Sequence, residues 1–371
     1  MSSSDPFDIF LVTAPGLESV LRDEAVAAGF IGARVEVGGV TITGGWPEVL
    51  RANFALRGPA RVLARFASFR ALHLAQLDKR ARRVDWGAVL ARDVPVRVEA
   101  SSKGSRLYHT GAIAQRIGTA IAEEFGAPLA ADAPVRVVAR VEDDLVTLSV
   151  DTTGEALHRR GHKQAVNAAP MRENLAALFL RQAGYDGAEP VLDPMCGSGT
   201  FVIEAAEIAA GLKPGRARSF AFEQLALFDR AAWEAMRREE AATPPAQRFF
   251  GSDRDAGAIR MSTENAARAG VLDWTAFAQT PIHELAAPES APGLVIVNPP
   301  YGARLGKGAN LFPLYNQLGR VLMSRFSGWR VGIVTCEKRL ADATGLPFAT
   351  RFPTVDNGGL RVALSVTGAL R

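Results

Sequence analysis

Cysteine and histidine are scarce in this chain of 371 residues, at two and five, and their placement excludes two function classes. Cys196 and Cys336 are far apart, and the histidines form no His-Glu-x-x-His or other ligand spacing, so neither a metal centre nor a disulfide framework is expected. No charge-free apolar run is long enough to span a bilayer. Residues 1–8 lack the basic start and apolar run of a signal peptide, so a soluble cytoplasmic protein is the expectation. There are no internal repeats and no low-complexity tracts. A net charge of +4 is too small by itself to announce nucleic acid. What is present is enough apolar sequence, 48% of residues, to bury two or three cores.

The distribution of charge says more than its sum. Residues 51–83 carry Arg51, Arg57, Arg61, Arg65, Arg70, Lys79, Arg80, Arg82 and Arg83 against the single acid Asp78. A second stretch holds Lys103, Arg106, His109 and Arg116 with no acid, and a third reads His158-Arg159-Arg160-Gly161-His162-Lys163. Any one of these alone is as well explained by a solvated face. Three together, all outside the glycine-rich part of the chain, favour RNA or DNA as partner, with Arg61, Arg65, Lys103, Arg106, Arg116, Arg159, Arg160 and Lys163 as candidate contacts.

Periodicity divides the chain in two. Up to about residue 150, strands and helices alternate irregularly: a strand over 7–13, a helix over 16–28, a hairpin over 34–43 turning at Gly38-Gly39, a helix over 46–56 and a strand over 61–69. A second α+β set follows, with helices over 72–83 and 111–125 and strands over 94–100, 135–141 and 145–150. Beyond residue 151 the pattern becomes strand then helix, the signature of a parallel sheet covered on both faces. Its strands are expected at 190–193, 248–253, 274–278, 294–298 and 330–335, with a late pair around 360–367. Helices are expected at 172–183, 200–210, 256–269 and 311–326. Residues 213–247, rich in charge and carrying Phe220, Phe222, Phe228 and Trp233, read as an insertion on that sheet with no assigned role.

Two motifs in the second half carry chemistry. The strand ending at Asp193 runs into Pro194-Met195-Cys196-Gly197-Ser198-Gly199-Thr200 and then into a helix. This arrangement aims backbone N–H groups and the positive helix end at the carboxyl edge of the sheet, a suitable place for the carboxylate of an amino-acid moiety. Gly197 and Gly199 let a ligand approach the backbone, and Asp193 can accept hydrogen bonds from an ammonium. A dinucleotide site would require Gly-x-Gly-x-x-Gly with an acid about twenty residues on; here position 202 is valine, and the candidate acid, Asp253, comes far later. S-adenosylmethionine fits better, with Asp253 placed to receive its ribose hydroxyls.

The second motif, Asn298-Pro299-Pro300-Tyr301, leaves the apolar strand Leu294-Val295-Ile296-Val297 at the same sheet edge. An aromatic amine is a poor nucleophile because its lone pair is delocalised. Asn298, through its amide oxygen, and Pro299, through its carbonyl, can accept both N–H groups and aim the nitrogen at a methyl. Pro299 and Pro300 stiffen the turn, and Tyr301 offers a face for a flipped base. A core tyrosine at a strand exit would be the reading if this tetrapeptide stood alone. Cys196 and Cys336 read as buried thiols rather than nucleophiles.

These residues resemble the THUMP-containing RNA methyltransferases, in the branch of the 23S ribosomal RNA N2-guanine methyltransferases related to the large-subunit methyltransferase L. The resemblance runs through Leu157-His158-Arg159-Arg160-Gly161, Ala169-Pro170-Met171-Arg172-Glu173-Asn174-Leu175 and the loop at 192–200. It continues through Asn298-Pro299-Pro300-Tyr301-Gly302, Arg304-Leu305-Gly306, and Leu314-Tyr315 with Leu318-Gly319. It implies an α/β fold: a ferredoxin-like piece over 1–69, a THUMP RNA-binding domain over 70–155, a linker over 156–167 and a Rossmann-like class I methyltransferase domain over 168–371. It further implies S-adenosylmethionine as cofactor, no metal, and a substrate in 23S rRNA or a pre-ribosomal large-subunit particle. tRNA and, more distantly, a protein glutamine amide remain alternatives with the same chemistry. Where relatives often carry an acid near the adenine amino group, this chain has Gln279-Thr280-Pro281, and Gln279 is the candidate substitute.

Overall fold

In the computed structural model, which describes residues 6–164, 171–238, 242–301 and 310–371, the chain forms two compact units. The first comprises Met1–Thr13, Leu21–Leu157 and Arg218–Glu239; the second comprises Ala14–Val20, His158–Ala217 and Glu240–Arg371. Ala169 and Pro170, residues 165–167 of the expected linker, Gly302, and Arg304-Leu305-Gly306 lie outside the described residues. No described helix is long and apolar enough to cross a membrane.

The first unit is built on one seven-stranded sheet. Strands β1 (Phe7–Val12), β2 (Arg34–Glu36), β3 (Gly39–Gly44) and β4 (Arg61–Arg70) alternate with helices α1 (Glu18–Ala27) and α2 (Trp46–Ala55) in a ferredoxin-like order. Strands β5 (Val96–Lys103), β6 (Val135–Glu142) and β7 (Leu145–Asp151), with helices α3 (Leu74–Ala81) and α4 (Thr110–Ala120), continue the same sheet, in the order β2-β3-β1-β4-β7-β6-β5. The join is the long antiparallel pairing of β4 with β7, from Leu63 opposite Asp151 to Arg70 opposite Leu145. In β6 the sequence alternation dictates the faces: Val135, Val137, Ala139 and Val141 are buried, while the residues between them are half-exposed.

The second unit holds α5 (Glu173–Gln182), β8 (Val191–Asp193), α6 (Thr200–Ala209), β9 (Phe249–Asp253), α8 (Ala256–Ala269), β10 (Thr275–Gln279) and β11 (Leu294–Val297). It ends with α9 (Phe312–Arg325), β12 (Arg330–Thr335), α10 (Lys338–Ala343), β13 (Phe348–Arg351), β14 (Val355–Asn357) and β15 (Leu360–Thr367). The strand order β10-β9-β8-β11-β12-β15-β13 is parallel through β12 and antiparallel at β15. Helix α6 packs against α5 and α8, and α9 against α10. This is a Rossmann-like sheet whose chain order reverses between β8 and β11, the place where ligands bind in open α/β folds. The central strands β8 and β11 are buried along their whole length, which is why β11 reads as an unbroken apolar run and β8 is apolar up to Asp193.

The aromatic segment expected on the parallel sheet belongs instead to the first unit. Helix α7 (Arg230–Arg238) brings Trp233 against Phe54 of α2 at 5.3 Å and against Phe222 at 5.1 Å, edge to face, and Phe220 and Phe222 stack at 4.9 Å. Backbone hydrogen bonds from Phe222 to Thr152 and from Ala226 to Val89 secure the chain there. Adjacency in sequence suggested the wrong sheet; the aromatic side chains pack on Phe54, and both Phe54 and Trp233 are buried. Trp233→Ala should cost about 3–5 kcal/mol of unfolding free energy, measured by urea denaturation. A cost below about 1 kcal/mol would mean that the segment is not part of that core.

Candidate active site

Four adjacent parallel strands end at one edge and present Gln279, Asp253, Asp193 and Asn298 there, in the order β10, β9, β8, β11. The register sets Gln279 beside Asp253 and Asp193 beside Gly251. Gly251 must be glycine for packing reasons: a Cβ there would come within 2.6 Å of the Phe277 ring and 3.2 Å of Cys196 Cβ.

The loop after β8 is held from beneath. The Cys196 N–H donates to the Ser252 carbonyl at 2.9 Å, and the Gly199 N–H donates to the Cys196 carbonyl at 2.8 Å. Asn265 of α8 donates to the Ser198 carbonyl at 3.0 Å. Gly199 has φ +84°, and a Cβ there would sit 2.9 Å from Ser262 Cβ, so α8 packs against the turn where a side chain would stand. Gly197, at φ +53°, faces open space. Its N–H donates to Asp253 Oδ2 at 3.1 Å, which ties the loop to the second strand. Of the candidate cofactor residues, Met195, Gly197, Asp253, Gln279 and Asn298 keep accessible surface, whereas Asp193, Cys196, Ser198, Gly199 and Thr200 are buried.

Asp193 is only 3% exposed. Burial pushes its carboxyl up to about 8, against the hydrogen bond from the Met195 N–H and with help from the Asp253 charge. Burial also drives the Cys196 thiol well above its ordinary value, which fits a structural thiol. Cys336 is half-buried rather than buried.

Just after β11, Asn298 Oδ1 is shut off from solvent and has no hydrogen-bond partner among the described residues. A buried amide oxygen left unpaired is costly, so this oxygen is available to a further hydrogen-bond donor. The turn is fixed by residues that motif reading alone had not given a role. Tyr315 of α9 donates to the Pro300 carbonyl at 3.2 Å and contacts Thr335 Oγ1 at 3.3 Å. Burial raises the Tyr315 phenol above its usual range, so it stays a donor. Tyr301 has no exposed surface, and a base could stack on its ring only after that ring is uncovered.

The structure separates the candidate RNA contacts. Arg160 is 1% exposed and pairs with the equally buried Glu204 at 3.1 Å. The Lys163 side chain is 8% exposed, and its ammonium donates to the Met171 carbonyl, to Thr200 Oγ1 at 2.9 Å, and toward Glu173 at 3.3 Å. Burial lowers the Lys163 pKa, opposed by Glu173. The third basic run is therefore in large part a clamp on α6 rather than an RNA surface, a correction that applies to Arg160 and Lys163. The missed signal was two acids, Glu204 and Glu207, inside an apolar helix, since buried acids require buried cations. Arg61 and Arg65 are engaged by Asp151 at 2.6 Å and by Glu36 at 2.8 Å. Lys103, Arg106, Arg116 and Arg159 remain exposed.

Comparison with known proteins gives two family matches. Residues 160–363 match the RMKL-like methyltransferase domain, and residues 8–63 match the ferredoxin-like domain of the RlmL proteins. A candidate RNA methyltransferase of Synechocystis sp. is 31% identical over 96% of this chain and 95% of its own length. The ribosomal RNA large subunit methyltransferase K/L of Methylococcus capsulatus is 33% identical over 96% of this chain, which spans 50% of that protein. Among solved structures, SMU.472, a candidate methyltransferase in complex with SAH, aligns with a TM-score of 0.87, 27% identity and 99% coverage of both chains.

Proposed function

The chain belongs to the RMKL-like methyltransferase family and is an S-adenosylmethionine-dependent RNA methyltransferase; we propose that its target is the N2 amine of a guanosine in 23S rRNA. The observation that carries this reading is the buried Asn298 Oδ1 just after the central strand, which has no partner among the described residues. S-adenosylmethionine, when bound, supplies an electrophilic methyl group on a sulfonium. The residues at the sheet edge suit that molecule chemically. Asp253 carries a half-exposed carboxylate for two ribose hydroxyls. Gly197 leaves room where a side chain would stand, and the N-terminus of α6 faces the place for the carboxylate. Asp193 is the partner for the ammonium, and Gln279 lies beside Asp253 for the adenine.

Asn298 then accepts one N–H of the substrate amine, and the Pro299 carbonyl accepts the other. Both acceptors pull hydrogen-bonded protons into fixed directions, so the nitrogen lone pair points out of the ring plane. They also stabilise the positive charge that grows on nitrogen as the new bond forms. Tyr315 acts one step back, by holding the Pro300 carbonyl and with it the shape of the turn. Lys103, Arg106, Arg116 and Arg159 supply exposed cations for the RNA backbone. The name of the Methylococcus relative favours large-subunit rRNA as the substrate.

Asn298→Ala should lower single-turnover methyl transfer by about 100- to 1000-fold while leaving SAH affinity within a few-fold of wild type. Turnover that survives the substitution would remove the proposed mechanism. Asp193 generates a second expectation. In the free protein its carboxyl, at about 8, is mostly protonated at neutral pH. Pairing with the cofactor ammonium needs the carboxylate, so binding releases a proton and tightens as pH rises. SAH affinity measured by calorimetry should increase about ninefold from pH 6 to pH 7, with proton release seen in buffers of different ionisation enthalpy. Asp193→Asn should bind weakly and without that slope; a wild-type affinity independent of pH would contradict the pairing.

A further inference from the structure

The first unit contains a cavity of about 330 Å³ between β4 and the segment after α3. Its walls are Phe66, Ser68 and Phe69 on one side and Arg80, Arg83 and Asp85 on the other. Three features of this cavity point the same way. First, β1 pairs with β4 only over Arg61 to Ala64, so from Arg65 onward the β4 edge opposite β7 has no partner strand among the described residues. The strand edge over Phe66 to Phe69, whose main-chain groups have no partner strand on this side among the described residues, lines the cavity. Second, Arg80 and Arg83 are exposed, and neither forms an ion pair with a described carboxylate. Their neighbour Arg82 is different, being engaged by Asp78, Glu123 and Glu124. With Asp85 the only acid in the lining, the cavity carries net positive charge. Third, two aromatic rings face it. Phe66 is braced edge to face by the buried Trp86 at 5.8 Å, and Phe69 is half-exposed.

An aromatic wall, free main-chain donors and acceptors, and two uncommitted guanidinium groups match the three parts of a nucleotide. The base stacks on a phenyl ring, its edge meets the strand backbone, and the phosphate meets arginine. The volume is at the lower end of the range for small-ligand sites, which suits one nucleotide and not a duplex. We infer that the Phe69–Arg80–Arg83 cavity binds an unpaired nucleotide of the RNA substrate. This rests on the RNA methyltransferase reading and adds to it a second contact, in the first unit, that selects RNA with a single-stranded element. A peptide strand added to the β4 edge is the competing occupant. The open edge is only a few residues long, however, and two arginines at its mouth offer an extended peptide little.

The test uses the full chain and a transcribed 23S rRNA fragment, with binding followed by fluorescence anisotropy over a salt series. Arg80→Ala/Arg83→Ala should weaken binding at least tenfold at 0.15 M salt and reduce the log–log salt slope by about 1.4, as for two phosphates on a single strand. Phe69→Ala should weaken binding about tenfold with the slope unchanged, and Phe69→Trp should restore it. RNA should also protect the amides of residues 66–69 from hydrogen exchange. RNA binding that is untouched by both Arg80→Ala/Arg83→Ala and Phe69→Ala, or that leaves those amides unprotected, overturns the inference and leaves the edge to a peptide. Absence of RNA binding by the wild type would instead overturn the RNA reading on which the inference rests.

Discussion

The active edge depends on parallel pairing among β10, β9, β8 and β11. Because those strands run the same way, their carboxyl ends fall together, and the side chains that follow them meet although they are far apart in sequence. The reversal of chain order at β8 and β11 opens the crevice between them. Asp193 and Asn298 stand on its two sides, one an acid raised to about 8 by burial and the other an amide oxygen with no partner among the described residues. Each is costly for the chain by itself, and a cationic ammonium and a hydrogen-bond-donating amine would relieve both.

Behind that crevice lies a second organising element, the charge network along α6. Glu204 and Glu207 project from a helix that is otherwise apolar; Arg160 pairs with Glu204 and Arg216 with Glu207, while Lys163 pairs with Glu173 of α5. Through its bond to Thr200, Lys163 reaches the first residue of the helix that follows the glycine loop. The stretch that leads into the catalytic unit is therefore bound to the cofactor helix by buried ion pairs, which are strongly destabilising to break singly. A basic motif that in sequence resembles a phosphate grip acts here as internal bracing.

Sequence reading was most reliable where one local cause determines the outcome. The alternation in β6, the apolar run of β11 and the glycine loop after β8 each specify their own conformation. The place of Asp253 at the end of β9 was legible, although its hydrogen bond to the Gly197 N–H was not. What sequence could not give were outcomes set by long-range partners. The aromatic segment around Trp233 was assigned to the sheet nearest in sequence, but its rings pack on Phe54. The formal charge of Arg61, Arg65, Arg160 and Lys163 was visible, whereas the acids that neutralise them became visible only in three dimensions. Short elements such as α10 and β13 carry too little periodicity to be read at all.

The central claim is methylation of a guanine amine in large-subunit RNA. Its most direct test is to incubate the protein with methyl-labelled S-adenosylmethionine and unmodified 23S rRNA or tRNA separately, then digest and identify the labelled nucleoside by mass spectrometry. The account predicts N2-methylguanosine from 23S rRNA and none from tRNA. Label on another atom or another base would contradict the chemistry assigned to Asn298, and N2-methylguanosine found only in tRNA would contradict the assigned substrate.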